Sequence, residues 1–276
     1  MRKQALVTFC AAVACVFAAL TEAARAGQPA LLTLFWAPYI DRAENGDVTG
    51  MAPALVDKIL EGAGLHVAPR LLPWPRLYKS VQSEPDVLAF TMVRMPEREA
   101  MFQWLAPLFV SEPGVLIYER ANAPPQPHTI EDLRKYKLCV TPGNSFYVKL
   151  RALGFEQNKN LFEFATLFPE TAAGQQWYIF QGQCDFRVTN WAPVTALMRK
   201  RGVADPQKHL GFYPAPEAMF GPDMETWLVA SRSFDSAQIA AIKTSADRLR
   251  ASGALWSICR QTYGFDEKTC ALQKPN

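Results

Sequence analysis

The chain has 276 residues, of which 49% are hydrophobic and 20% are charged, and its formal net charge at pH 7 is +3. This near-neutral balance excludes an electrostatic case for nucleic acid or another polyanion as the partner. The apolar content is ample for packed cores, and the length exceeds one typical domain. Composition therefore predicts a folded protein with two lobes.

The first residues have the order of a secretory signal peptide. Arg2 and Lys3 precede an uncharged apolar stretch over residues 5–20, and the small residues Ala24 and Ala26 lie directly before Gly27. We expect residues 1–26 to be removed and the mature chain, 27–276, to reside in the periplasm. That loss would leave 26 basic and 25 acidic residues, a formal charge of +1.

Two other interpretations of this segment are weaker. A membrane anchor would need roughly 20 apolar residues, and the stretch is shorter than that. A lipid anchor on Cys15 is the other alternative, but the residues before it, Ala12 to Ala14, lack the usual leucine.

Six cysteines occur, of which Cys10 and Cys15 would leave with the leader. The remaining four form an even set in an oxidising compartment, where disulfides are expected. Three pairings are possible, and buried free thiols are an alternative to all of them. The favoured pairs, because each falls within one predicted lobe, are Cys139 with Cys184 and Cys259 with Cys270.

The first part of the chain alternates strands and helices, which predicts a mainly parallel sheet. Apolar runs predict strands at 31–35, 67–71 and 87–91. Helical spacing of apolar residues predicts helices at 55–63, ended by Gly62 and Gly64, and at 74–81.

A proline-rich tract at 123–127 separates this unit from a second alternation, and proline there disfavours a central strand. The second unit has predicted strands at 138–140, 161–164 and 186–189, with helices beginning near Ser145, Thr171 and Pro193. After His209 the chain returns through 211–216 to a strand at 227–230 and helices at 237–251 and 255–263.

One unit interrupting another requires two crossings between lobes, which we expect near Tyr118 and Phe212. The predicted lobes are 27–119 with 214–276, and 120–213. Paired crossings form a hinge over a cleft, and both sheets would present the carboxyl ends of their strands to it.

Three stretches, 86–107, 130–145 and 252–264, are similar to the polar amino acid branch of the bacterial extracellular solute-binding proteins, family 3, which serve ABC importers. The matching residues are Pro96, Glu97, Arg98, Phe102, Trp104, Pro107, Glu131, Asp132, Leu133, Gly143, Gly253, Leu255, Ile258, Tyr263 and Gly264. The resemblance implies a two-lobed α/β clamshell of the type II periplasmic-binding fold. It also implies a small polar, carboxylate-bearing ligand, an inner-membrane permease as partner, a monomer, and neither cofactor nor metal.

The resemblance implies that Arg98 grips the ligand carboxylate, because a guanidinium offers a planar fork of donors to two oxygens. The alternative is that Arg98 only pairs with Glu97 or Glu99 on a solvated turn. Arg94 either joins Arg98 or faces water.

Flat rings can enclose a ligand side chain at little entropic cost, and the resemblance places Trp36, Tyr39 and Trp74 in the cleft. The residues alone would favour core positions for the two tryptophans. Thr91 matches a small hydroxyl residue at a strand end.

Gly143, Asn144 and Ser145 match a loop that opens a helix, where free N–H groups can bind a carboxylate. As an alternative, Asn144 or Ser145 serves only as an N-cap.

Asn190 departs from the family pattern, which has an aspartate that pairs with the ligand ammonium. An amide accepts a hydrogen bond but gives no countercharge, which weakens the case for an α-amino acid. Met95 also replaces a common threonine.

Two rival functions remain. A dehydratase-like enzyme would need an acid or base, but His66, His128 and His209 lie near no nucleophile motif, and Glu170 and Glu217 are isolated carboxylates. The other rival is a periplasmic accessory or sensor module that is not coupled to import.

Overall fold

The computed structural model describes residues 28–164, 183–216, 219 and 224–275. The predicted leader, the helix predicted near Thr171, and the side chains of Glu170 and Glu217 lie outside these residues. Within them, two five-stranded sheets flanked by helices confirm the predicted α/β class.

The first sheet is built from both ends of the described chain. Its strands are β1 (Ala30–Thr33), β4 (Pro69–Leu71), β5 (Val87–Val93), β6 (Gln103–Ser111) and β12 (Met224–Ala230), in the order β4-β1-β5-β12-β6. Strands β4, β1 and β5 are parallel, and β12 is antiparallel to both β5 and β6. A small hairpin, β2 (Asp41–Arg42) with β3 (Val48–Thr49), lies beside it.

The second sheet contains β7 (Val115–Glu119), β8 (Leu138–Val140), β9 (Leu161–Glu163), β10 (Phe186–Thr189) and β11 (Leu210–Pro214), in the order β11-β7-β10-β8-β9. Strands β10, β8 and β9 are parallel, whereas β7 is antiparallel to β10 and β11. Each sheet is therefore mixed, with more antiparallel pairing than the strand–helix alternation predicts. We call the first sheet with its helices lobe 1 and the second lobe 2.

Helices cover both faces of the first sheet. In α1 (Met51–Gly62) the apolar residues Leu55, Val56, Ile59 and Leu60 fall on one buried face, which packs in the same core as Leu88 and Phe90 of β5. In α2 (Trp74–Ser83), Leu77 and Val81 pack on the other face with Val87 and Ala89. Because β5 is covered on both sides, all seven of its residues are buried.

Helix α6 (Ser236–Ala251) packs closely on α1. The Ser245 hydroxyl donates to the Ile59 carbonyl at 2.8 Å, and a Cβ on Gly62 would clash with the Ser245 oxygen. Gly62 is the last residue of α1, in agreement with the predicted stop at Gly62 and Gly64, and its lack of a side chain permits the helix contact. Helix α7 (Ala254–Ser257) and a π-helical turn (Ile258–Thr262) follow.

Lobe 2 carries α3 (Ile130–Leu133), α4 (Ser145–Ala152) and α5 (Trp191–Lys200). A disulfide joins Cys139 to Cys184 in this lobe, and a second joins Cys259 to Cys270 in lobe 1. These are the pairs that the sequence favoured. Across the described ranges, no helix has the length and apolar character needed to cross a membrane.

The crossings lie at other positions than predicted. Tyr118 is inside β7 and Phe212 is inside β11, and these strands pair with each other in the second sheet. The first crossing is residues 112–114, between β6 and β7, and the second lies between Pro214 and Met224. The proline-rich tract at 123–127 consequently belongs to lobe 2.

Candidate ligand-binding cleft

A cleft of ≈ 510 Å³ lies between the lobes, and both contribute to its walls. Its volume is within the range of small-molecule sites. The structure brings together seven of the nine predicted ligand-binding residues as cleft-lining residues: Trp36, Trp74, Thr91, Arg98, Asn144, Ser145 and Asn190.

Arg98 is the centre of the lobe 1 wall. It ends the 3₁₀ turn Pro96–Arg98 after β5 and is only 1% exposed, so the alternative of a solvated turn is wrong. Its Nη1 donates to the Val93 carbonyl at 3.2 Å, and its Nη2 donates across the cleft to the Gly143 carbonyl at 2.9 Å. Its Nε has no hydrogen-bond partner among the described residues. Burial lowers the pKa of Arg98.

Trp74 extends the same wall from the first position of α2. The Arg98 guanidinium carbon lies 5.2 Å from the centre of its ring, within cation–π range. The indole Nε1 of Trp74 is buried without a partner among the described residues. Two buried donors, this N–H and the Arg98 Nε–H, therefore lie in one cleft and lack acceptors, which is costly unless an acceptor binds.

Trp36 lies between the core and the cleft. It is 8% exposed and makes edge contacts to Tyr39 and Phe109, with ring centres 5.8 Å and 6.0 Å away, and it also lines the cleft. Trp36 is therefore part of the core, as the residues alone favoured, and also lines the cleft, as the resemblance implied.

Thr91 has a strained backbone at the cleft wall. Its φ is 80°, and the register of β5 against β12 skips it, since Phe90 pairs with Leu228 and Met92 with Trp227. Thr91 is thus a bulge residue, inside β5 rather than at its end. A β-branched residue at positive φ is unusual and costs of order 1–3 kcal/mol, and such strain clusters at functional sites.

The lobe 2 wall includes the start of α4. Asn144 is its N-cap, with the side-chain oxygen accepting from the Tyr147 N–H at 2.8 Å, and Ser145 is its first residue. Both residues also line the cleft, so the capping role and the cleft position coexist. Gly143 precedes them with φ 69°, a conformation that glycine adopts without strain.

Asn190 lines the cleft but is held by the first crossing. Its Nδ2 donates to the Glu112 carbonyl at 2.8 Å, and the Glu112 carboxylate accepts from the Ala192 N–H at 3.1 Å. An aspartate at this position could not donate to the carbonyl. The departure from the family pattern thus has a structural reason.

The structure does not bring Tyr39 and Arg94 into the cleft. Tyr39 is 4% exposed, stacks on Phe265, and accepts from the Glu112 N–H at 3.0 Å. Burial raises its pKa to about 12. Arg94 instead pairs with Glu99 at 2.7 Å. The sequence left open whether Arg94 joins Arg98 or faces water, and the structure places it at the surface.

Sequence reasoning missed several cleft residues. These are the exposed cations Arg42, Lys200 and Arg201 and the lobe 2 residues Thr141, Phe146 and Thr189. Phe146 and Thr189 adjoin the predicted residues Ser145 and Asn190, but no motif in the sequence marks them or the cations. Arg187 was also missed, although a charged residue inside the predicted strand 186–189 is a signal in itself, since buried arginines are rare.

No protein-family model matches the sequence, and no curated protein matches it. Solved structures do. The arginine-, lysine-, histidine-binding protein ArtJ from Geobacillus stearothermophilus superposes with a TM-score of 0.67 at 17% identity, covering 90% of this chain and 100% of that one. A histidine kinase sensor domain with similarity to periplasmic binding proteins gives 0.65 at 18% identity, covering 86% and 96%.

An ancestral amino acid-binding protein, described as a precursor of cyclohexadienyl dehydratase, gives a TM-score of 0.60 at 14% identity, covering 90% of this chain and 99% of its own. At these identities the likeness concerns the fold. The chain therefore has the two-lobed fold of the periplasmic binding proteins, with a cleft between the lobes.

Proposed function

We propose that this chain is a periplasmic solute-binding protein that closes around a small polar, carboxylate-bearing molecule and presents it to an inner-membrane ABC permease. The observation that carries the proposal is Arg98, a buried guanidinium on the wall of a two-lobed cleft. No carboxylate of the described residues lies within ion-pair distance of it, and its Nε lacks an acceptor.

A ligand carboxylate supplies the missing acceptors. One carboxylate oxygen would accept from the Arg98 Nε–H, and the other would lie near the Trp74 indole N–H. Charge-assisted hydrogen bonds of this type are short and about twice as strong as neutral ones. The aromatic rings of Trp36 and Trp74 give the rest of the ligand apolar contact.

Closure follows from contacts on the second lobe. The ligand would dock on lobe 1 through Arg98, Thr91 and the tryptophans, and the Asn144–Ser145 loop and Asn190 would then reach it from lobe 2. A ligand favours the closed form only through the additional contacts it makes there. The hydrogen bond between Arg98 and the Gly143 carbonyl already couples the two walls.

A binding role fits the cleft better than catalysis. The three histidines are exposed and are not among the cleft-lining residues, and the lining residues in the described ranges include no histidine or cysteine. The likeness to a dehydratase precursor keeps the enzyme as a rival, and the likeness to a sensor domain supports an accessory role as the second candidate. Both alternatives use the same clamshell.

A thermal-shift screen of amino acids, dicarboxylates, cyclic acids and amines tests the proposal. A ligand at 100 times its dissociation constant stabilises the folded state by about 2.7 kcal/mol, so binding carboxylates should raise Tm clearly. Amines without a carboxylate should give no shift. A screen in which amines alone raise Tm, or in which no carboxylate does, would contradict the proposal.

A further inference from the structure

The charged side chains that line the cleft share one sign. Among the described lining residues they are Arg42, Arg98, Lys200 and Arg201, and neither aspartate nor glutamate is among them. Lys200 is ion-paired with Asp41, which lies outside the lining. A cleft wall with one sign of charge concentrates ligands of the opposite sign.

Lobe 2 adds a second buried guanidinium. Arg187 of β10 is 1% exposed, and its Nη2 donates to the Thr141 hydroxyl oxygen at 3.0 Å. Its Nε has no partner, and no carboxylate within the described ranges lies in ion-pair distance of it. Burial lowers its pKa to about 10, so the guanidinium remains charged at neutral pH.

Thr141 connects Arg187 to the cleft through a hydrogen bond. It follows β8, lines the cleft, and accepts the hydrogen bond from Arg187 with its hydroxyl oxygen. Since a hydroxyl has one proton to donate, the Thr141 O–H is left to donate toward the cleft. The nearby start of α4 adds the positive end of a helix dipole on the same side.

Among its described residues, the same wall offers no countercharge to an ammonium group. Asn190 lines this wall but carries no charge, and its amide N–H is engaged with the Glu112 carbonyl. An α-amino acid would thus bring its positive group to a wall that contains a buried cation and no described carboxylate.

We propose that the ligand is a dicarboxylate without an ammonium group, with one carboxylate on Arg98 and the second on Thr141, which Arg187 positions. The inference rests on the proposed function and narrows its ligand. The rings of Trp36, Trp74 and Phe146 line the same cleft and favour an apolar spacer between the two carboxylates. In this arrangement Arg187 is a positioning residue, whereas Arg98 and Thr141 contact the ligand.

Matched probes in isothermal titration calorimetry test the ligand class. Two sets each share one skeleton: glutarate, pentanoate and 2-aminopentanoate, and terephthalate, benzoate and 4-(aminomethyl)benzoate. At least one dicarboxylate should bind about tenfold or more tightly than its monocarboxylate and amino-acid counterparts, the value of one charged hydrogen bond. An amino acid or monocarboxylate that binds as tightly as its dicarboxylate would overturn the inference.

Variants of the lobe 2 wall test where the second carboxylate binds. In Thr141→Val, a change of similar shape, the ratio of monocarboxylate to dicarboxylate dissociation constants should fall to near one. Arg187→Met should lower the same ratio and raise the Tm of the ligand-free protein, because it removes a buried charge without a carboxylate partner. If Arg187→Met fails to fold, Thr141→Val alone decides. If Thr141→Val keeps the wild-type ratio of dissociation constants, the second carboxylate does not bind at Thr141.

Thr195→Val is the matched control, since Thr195 is a buried threonine of α5 that bonds the Ala192 carbonyl and does not line the cleft. It should keep the wild-type ratio. The proposed function and the dicarboxylate inference are contradicted by different results. If no carboxylate binds, the proposed function fails; if amino acids bind through Arg98 but dicarboxylates do not, only the dicarboxylate inference fails.

Discussion

Arg98 of lobe 1 and Arg187 of lobe 2 face one cleft from opposite sides and differ in how they reach it. Both are 1% exposed, and in the described part of the chain both have an unpaired Nε and no carboxylate partner. Arg98 lies over Trp74 on the cleft surface and bonds backbone carbonyls of both lobes. Arg187 lies behind Thr141 and reaches the cleft only through that hydroxyl.

The comparison shows why burial alone does not define a binding residue. A buried charge without a partner costs several kcal/mol, so neither arginine is explained by the stability of the fold. What separates them is the atom presented to the cleft, a guanidinium N–H in lobe 1 and a neutral, oriented O–H in lobe 2. Arg98 therefore presents its charge directly to the cleft, whereas Arg187 acts by positioning the Thr141 hydroxyl.

The largest expected loss of ligand affinity is from Arg98→Ala. A hydrogen bond to a charged group is worth about 1.5–3 kcal/mol, so carboxylate affinity should fall by about 10- to 150-fold in calorimetry. Arg94→Ala removes an arginine that is ion-paired at the surface, outside the cleft, and should change affinity by less than twofold. Equal effects of the two variants would remove the distinction between the cleft arginine and its neighbour.

Asn190→Asp should have an intermediate effect and tests the lobe 2 wall. The new carboxylate cannot donate to the Glu112 carbonyl, so urea denaturation should show a loss of about 1–3 kcal/mol in unfolding free energy. Asn144→Asp is the matched control, because aspartate is an equally good N-cap and can accept from the Tyr147 N–H. It should retain stability, while both variants weaken anion binding by repulsion.

A stable Asn190→Asp protein would show that the bond to Glu112 contributes little. If that variant also gained affinity for α-amino acids, the cleft would accept an ammonium after all.

The smallest expected effect concerns the ion pair between Asp41 of lobe 1 and Lys200, a cleft-lining residue of lobe 2. Both side chains are about two-fifths exposed, at 42% and 41%, so a double-mutant cycle should give a coupling of about 0.2–1 kcal/mol in ligand binding free energy. This coupling should fade at high salt. The Lys58–Glu61 pair within α1 is the control, and its cycle should show no coupling to ligand affinity.

Much of the fold could be predicted because local patterns specify it. The strands at 138–140 and 186–189 were predicted with the observed bounds, and α2 with the observed start. Strands β6 and β11 were missed because Pro107, Gly211 and Pro214 disfavour a strand by local rules, whereas pairing with neighbouring strands stabilises them here. Strand β7 was also missed, although its apolar run is typical of a strand.

The site was harder to predict because it depends on tertiary placement. Arg98 and Trp74 could be proposed from motifs that the resemblance supplied. That the Arg98 Nε–H and the Trp74 indole N–H lack acceptors could not be predicted, because hydrogen-bond partners are known only from the folded chain. Arg187 also required the structure, because only the approach of β8 to β10 places its guanidinium behind Thr141.

The most direct measurement is a crystal structure with a carboxylate ligand identified in the thermal-shift screen. The account predicts the ligand between the lobes, with a carboxylate oxygen about 2.7–2.9 Å from the Arg98 Nε. A ligand bound outside the cleft, or an Arg98 side chain turned away from the bound carboxylate, would contradict it.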